Sequence, residues 1–230
     1  MKKIITIVLA VFCISAANAQ LEKGTTFLSG SFNLTGYNKP VGDYTNSDLN
    51  VGLSPKFGGF VAKNLLLGGE LNLSYDHATY KQNNTSTSQY YYNSATNTFG
   101  LGPGLFIRYY APLTTHFYFT INGDFSYTYN FGTTAQTTNN PTASPTYNET
   151  TKNYNGLIAV AFSPGFTYLV TPRIGLGMSF GRLYFSHAGI KTVIGSKTTK
   201  TSDNEYGLDL KTSSLNFGVS FYFGGGKEKK

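Results

Sequence analysis

Nine residues, Leu215 to Phe223, alternate without a slip. Leu215, Phe217, Val219, Phe221 and Phe223 fall on one face, and Asn216, Gly218, Ser220 and Tyr222 on the other. A period of two makes this a β-strand, because successive side chains leave a strand on opposite sides. One face is aromatic and the other is small or polar. A soluble sandwich could use such a strand once. What limits the fold is that the pattern recurs along the chain.

Seven further stretches carry it: Thr25–Tyr37, Leu49–Val61, Leu65–Tyr75, Asn97–Tyr110, His116–Phe131, Asn155–Val170 and Ile174–Phe185. In the fifth, Phe117, Phe119, Ile121, Phe125, Tyr127, Tyr129 and Phe131 oppose Thr120, Asn122, Asp124, Ser126 and Asn130. The phase slips at Gly181, where a β-bulge is expected. Tyr206–Leu210 is out of phase with Leu215 onward, so a second bulge is expected near Ser213. Tight turns at Ala62–Asn64, Ala111–Thr115 and Thr171–Arg173 alternate with long polar segments: Asn38–Asp48, Asp76–Thr96, Gly132–Tyr154 and Ser186–Asn204.

Eight long strands with alternating short and long connections are the layout of a transmembrane β-barrel. The sequence therefore predicts an all-β, eight-stranded antiparallel transmembrane barrel, with short periplasmic turns and long extracellular loops. Closure of the sheet satisfies every backbone group in lipid. Only 13% of residues are charged, 16% are aromatic, and there are 26 glycines. That balance suits an apolar exterior over a narrow interior of small side chains.

The N-terminus reads as a targeting segment. Lys2 and Lys3 precede an apolar run, Ile4–Ser15, and then Ala17-Asn18-Ala19. This order of basic, apolar and small residues predicts a signal peptide over residues 1–19. The run is too short for a spanning helix, which needs about 20 residues. The single cysteine, Cys13, falls inside that segment, so the exported chain would use no disulfide. The barrel is assigned to 20–223 and a Gly/Lys-rich periplasmic tail to 224–230. The excess of 18 basic over 11 acidic residues is partly terminal (Lys2, Lys3, Lys227, Lys229, Lys230) and otherwise scattered, so no nucleic-acid surface is expected.

With the signal segment, the strand rhythm and the terminal strand in hand, the chain resembles the small eight-stranded outer-membrane barrels of the OmpX-like and OmpA-barrel type. The resemblance covers about Thr25–Phe223. It implies a bacterial outer-membrane location, both termini in the periplasm, and contact with outer-membrane lipid and lipopolysaccharide. In that family the assembly machinery reads a terminal aromatic strand, and Phe217, Val219, Phe221 and Phe223 match it. Gly224–Lys230 departs from the pattern by running past the final Phe. No second domain is expected after the barrel.

Four charges fall on the interior face: Lys56, Glu70, Arg108 and Asp124. A hairpin centred on Lys63 sets Lys56 opposite Glu70, which predicts an ion pair inside the barrel, where an unpaired charge would be costly. Interior side chains fill a barrel of eight strands, so these charges read as a structural plug before they read as a gate. His77, His116 and His187 are spread over the chain, and no metal or cofactor is expected. Ser186 and His187 are neighbours that face opposite ways on a strand, so they make no catalytic dyad by themselves. The expectation is a non-catalytic protein with a structural or surface-interaction role. A narrow porin-like conduit is the alternative, and a lipid-A-modifying enzyme comes after it. Loops rich in Thr, Asn, Ser and Tyr, with Lys191, Lys197 and Lys200 in the last, could bind a surface ligand.

Overall fold

A computed structural model of the chain describes residues 21–83, 91–140, 144–210 and 216–224. The signal segment, the expected bulge near Ser213 and most of the C-terminal tail lie outside the described residues. The described chain is all-β, with ten strands in one antiparallel sheet. They are β1 (Thr26–Val41), β2 (Tyr44–Ala62), β3 (Leu65–Asn83), β4 (Tyr91–Pro112), β5 (Phe117–Asn140), β6 (Ser144–Thr171), β7 (Ile174–Ser179), β8 (Arg182–Ile194), β9 (Lys197–Asp209) and β10 (Asn216–Phe223).

Eight of them close a ring. Each of β1 to β6 pairs with the next, β7 pairs with β10, and β10 returns to β1. Thr26 faces Phe223 and Ser29 faces Ser220 across the closing ladder. The remaining two strands form a hairpin whose first strand, β8, pairs with the outer part of β6.

The stretch Ile174–Phe185 is thus two strands. Gly165 faces Ser179, whereas Phe162, three residues earlier, faces Leu183, four residues later. One residue is extra, which defines a bulge. Gly181 sits there with φ of +68°, a conformation that costs glycine nothing. Of the expected last strand, the described parts belong to β9, which ends at Asp209 opposite Arg182, and β10, which begins at Asn216 opposite Ser179.

The four polar segments expected as loops are largely strand. The β1–β2 ladder runs to Val41 opposite Tyr44, and β8–β9 runs to Ile194 opposite Lys197. The ladder of β3 and β4 reaches Asn83 opposite Tyr91, and that of β5 and β6 reaches Asn140 opposite Ser144. These are four hairpins prolonging the ring at one end. Their Thr, Tyr and Val content favours extended backbone even where both faces are polar.

At the other end the connections are tight. Lys63 and Asn64 join β2 to β3, and Asn64 is, among the described residues, the non-glycine residue with a positive φ, +63°. Left-handed backbone costs an ordinary residue about 1–2 kcal/mol and suits Asn or Gly. Asn64→Val is therefore expected to destabilise the fold by about 1–2 kcal/mol in equilibrium denaturation, and Asn64→Gly to leave it nearly unchanged.

Side chains sort by parity. Even-numbered residues of β2 to β4 point inward and odd-numbered ones outward. The outward set is apolar and exposed, including Phe32, Leu53, Phe57, Leu105, Ile121, Phe162 and Leu176. The buried apolar set is small and gathers at the tight-turn end: Leu21, Phe27, Phe60, Leu66, Phe106, Tyr110, Leu169 and Tyr222. Phe27 packs on Phe106 and Tyr222, with ring centroids 5.8 and 5.6 Å apart, and Phe60 packs on Tyr110 at 5.5 Å. Leu21 is drawn beneath this layer, its carbonyl accepting from the Asn64 amide at 2.8 Å. Together they floor the ring. Gly68 is required here, because a Cβ on it would stand 2.6 Å from the Phe106 ring.

Candidate functional site

Directly above the aromatic floor lies a charged cluster. Lys56 on β2 faces Glu70 on β3 in register. Its Nζ lies 2.5 Å from Glu70 Oε2 and 2.8 Å from Asp124 Oδ1 on β5. Glu70 is nearly enclosed, its side chain 7% exposed, against 25% for the other two. Asn72 donates to Glu70 Oε1 at 3.2 Å. Gly104, opposite Glu70 on β4, leaves the space that the carboxylate stem occupies, since a Cβ there would fall 2.6 Å from Glu70 Cγ. Lys56 also rests over the Phe106 ring, 5.3 Å from its centroid, a geometry that adds cation–π attraction to the ion pairs.

Arg108 is the fourth charge and stands apart from the triad. Its Nε donates to Asn122 Oδ1, and its NH1 donates to the Tyr110 hydroxyl at 3.3 Å. The guanidinium lies over Phe27, 5.3 Å from the ring centroid. Asn122 is held in turn by donating to the Ser163 carbonyl at 3.2 Å, and the Tyr110 and Tyr222 hydroxyls meet at 3.2 Å. Among the described residues no carboxylate lies within ion-pair distance of Arg108. Tyr222 ties the closing strand into this network, so ring closure and interior order are coupled.

Of the four interior charges read from the sequence, three therefore converge, and the fourth is held separately by Asn122 and Tyr110. Sequence reasoning did not find Asn122, Tyr110 or the aromatic floor as partners. A signal was present: Phe60, Leu66, Phe106 and Tyr222 fall on the polar parity, close to the tight-turn ends of their strands.

A cavity of about 310 Å³ opens above Arg108 and Lys56, with Ser29, Thr120, Asn122 and Ser220 in its wall. The cluster offers cations, hydroxyls and amides, but Lys56 is held between two carboxylates and is no free nucleophile. The histidines lie elsewhere. His77 Nδ1 meets Asn97 Oδ1 at 2.7 Å, and His187 Nδ1 meets Asn204 Oδ1 at 2.8 Å, both in the hairpin extensions. His116 bonds Thr115 in the turn after β4. The triad geometry of acyl hydrolases needs a histidine between a hydroxyl and a carboxylate; His187 bonds an amide.

No family model matches the chain, and no curated protein is similar to it in sequence.

Proposed function

We propose that the ring is an eight-stranded transmembrane β-barrel of a bacterial outer membrane, in the manner of the small outer-membrane barrels that the sequence resembles. The supporting observation is the inversion of the side chains. Phe57, Leu105, Phe125 and Phe162 lie outside and exposed, whereas Lys56, Glu70, Arg108 and Asp124 lie within. In water such an exterior would be a continuous sticky surface. In lipid it is the required one.

The dimensions agree. Outward aromatics mark both edges of the apolar face: Tyr75, Phe99 and Phe131 toward the hairpin extensions, Tyr109 and Tyr168 toward the tight turns. Ten residues separate Phe99 from Tyr109. At about 3.3 Å per residue and a tilt near 40°, they span about 25 Å, the height of an outer-membrane apolar band. Between these levels no outward position among the described residues of β2 to β6 carries a charge. The tight turns and both ends of the ring, Thr26 and Phe223, then belong to the periplasmic side. Folding partners on this reading are outer-membrane lipid, lipopolysaccharide and the barrel-assembly machinery, the last through Phe217, Val219, Phe221 and Phe223. The cheapest check is gel migration, expected to differ between boiled and unboiled protein; identical migration would overturn the barrel.

The role we propose is structural and surface-presenting, not catalytic. The four long hairpins would stand clear of the membrane with Thr, Asn, Ser and Tyr side chains available to a ligand. The conduit reading is disfavoured by the floor, where Phe27, Leu66, Tyr110 and Tyr222 are fully buried across the interior. Protein in planar bilayers is accordingly expected to give no steady openings. Reproducible ion-selective steps would reinstate the conduit.

A further inference from the structure

The ring is closed by fewer pairs than its length permits. β1 and β10 pair from Thr26–Phe223 to Ser29–Ser220 and no further, although both strands continue. Extending that register would set Ser31 against Gly218 and Phe32 against Phe217. Among the described residues, β1 beyond Ser29 pairs only with β2, and β9 pairs only with β8. Gly218 faces open space: a Cβ built on it would touch nothing within 4 Å. Phe217 is 76% exposed.

This gap meets the interior cavity. Ser29, Gly30 and Ser31 of β1 and Phe217, Gly218 and Val219 of β10 line the cavity above Arg108. The same six residues line a second hollow of about 520 Å³ in the gap itself, together with Leu28, Phe32 and Phe221. The two hollows meet at these shared residues and are chemically opposite. The outer one is walled by Leu28, Phe32, Phe217, Val219 and Phe221, all apolar. The inner one holds Arg108, Asn122, hydroxyls and Lys56 with its partner Asp124, whose charge the lysine offsets. Arg108 has five N–H donors and commits two of them, to Asn122 and Tyr110. No carboxylate among the described residues lies within ion-pair distance of the donors left over.

We propose that this seam is a lateral binding site for a single-chain amphiphile with an oxyanion head group, a carboxylate or a phosphate. The head group takes the free guanidinium donors of Arg108, a charge-assisted pairing of matching fork geometry. The alkyl chain leaves through the gap between β1 and β10 and lies in the apolar hollow, facing lipid. The site rests on the membrane reading above, because only there is the outer hollow continuous with hydrocarbon. Backbone groups left unpaired in hydrocarbon cost several kcal/mol each, so a gap at this depth calls for polar atoms near it, which the cavity and a bound head group supply.

The test is native mass spectrometry of the full chain in a non-ionic detergent. The probes are palmitate, hexadecyl phosphate and, as the uncharged control, hexadecanol. One-to-one adducts are expected with the anions, and at least about tenfold weaker retention of the alcohol. Preference between palmitate and hexadecyl phosphate identifies which oxyanion is the natural head group. Arg108→Met should weaken both anions by a similar factor. Ser31→Cys with Gly218→Cys should lock the seam when oxidised, abolishing the adducts, and reduction should restore them. Equal retention of the alcohol and the anions, or unchanged binding in the locked form, overturns the site. So does the absence of any anion adduct on protein that migrates differently before and after boiling. Protein that fails that migration test instead removes the membrane reading itself.

Discussion

Leu105→Arg is expected to lower the folding free energy in lipid vesicles by about 2–4 kcal/mol, the cost of a cation on the lipid face near the bilayer midplane. Leu105 lies outward, midway between the aromatic levels at Phe99 and Tyr109, and is 63% exposed. Beside it in the ladder stand Gly69, which has no side chain, and Phe125. If this surface met water, an arginine at so open a position would change stability by no more than about 0.5 kcal/mol. The two readings therefore differ severalfold in one measurement. Ala135→Arg is the matched control. Ala135 is also exposed on β5, but four residues beyond Phe131, in the hairpin extension. It should cost almost nothing in either case. Urea titration in vesicles, followed by the heat-dependent gel shift because the chain has no tryptophan, gives both values. Equal, small effects at the two positions would count against a lipid-facing band.

The outer face was legible because it obeys one rule: Phe, Leu, Ile, Val or Tyr at alternate positions over strand after strand. A phase slip was enough to place the bulge at Gly181. Parity and hairpin arithmetic were likewise enough to set Lys56 opposite Glu70, because adjacent strands share a ladder. The arrival of Asp124 was not legible. It comes from β5, three strands from β2, and reaches Lys56 only because the sheet curls into a ring. The hairpin extensions were missed for a different reason. Beyond Tyr75 or Phe131 both faces of the sheet are polar, so hydrophobic alternation disappears while the backbone pairing continues. Thr133 to Thr138 and Tyr80 would have argued for strand on propensity alone. The aromatic floor was hidden by parity. Phe60, Leu66, Phe106 and Tyr222 look like interruptions of a polar face until their common level in the ring is known.

Lys56→Met should be the most damaging single change inside the ring, at about 3–5 kcal/mol, because it strands buried anions. The lysine is the shared cation of two carboxylates, 2.5 Å from Glu70 and 2.8 Å from Asp124. Without it, Glu70 keeps only the Asn72 amide at 3.2 Å and is almost cut off from water. Asp124 retains some access to the cavity, so most of the loss should come from Glu70. The corollary separates an ion-pair effect from a packing effect. Replacing a whole buried triad with neutral groups of similar shape is often neutral or stabilising. Lys56→Met combined with Glu70→Gln and Asp124→Asn should therefore recover most of what the single change loses, though it removes every charge of the triad. Glu70→Gln added alone to Lys56→Met should already recover more than Asp124→Asn does. Unfolding of the four variants in vesicles by urea checks the order. A single Lys56→Met costing less than about 1 kcal/mol, or a triple variant as weak as the single, would mean that the cluster is held by packing on Phe106 and the floor, with its charges incidental to stability.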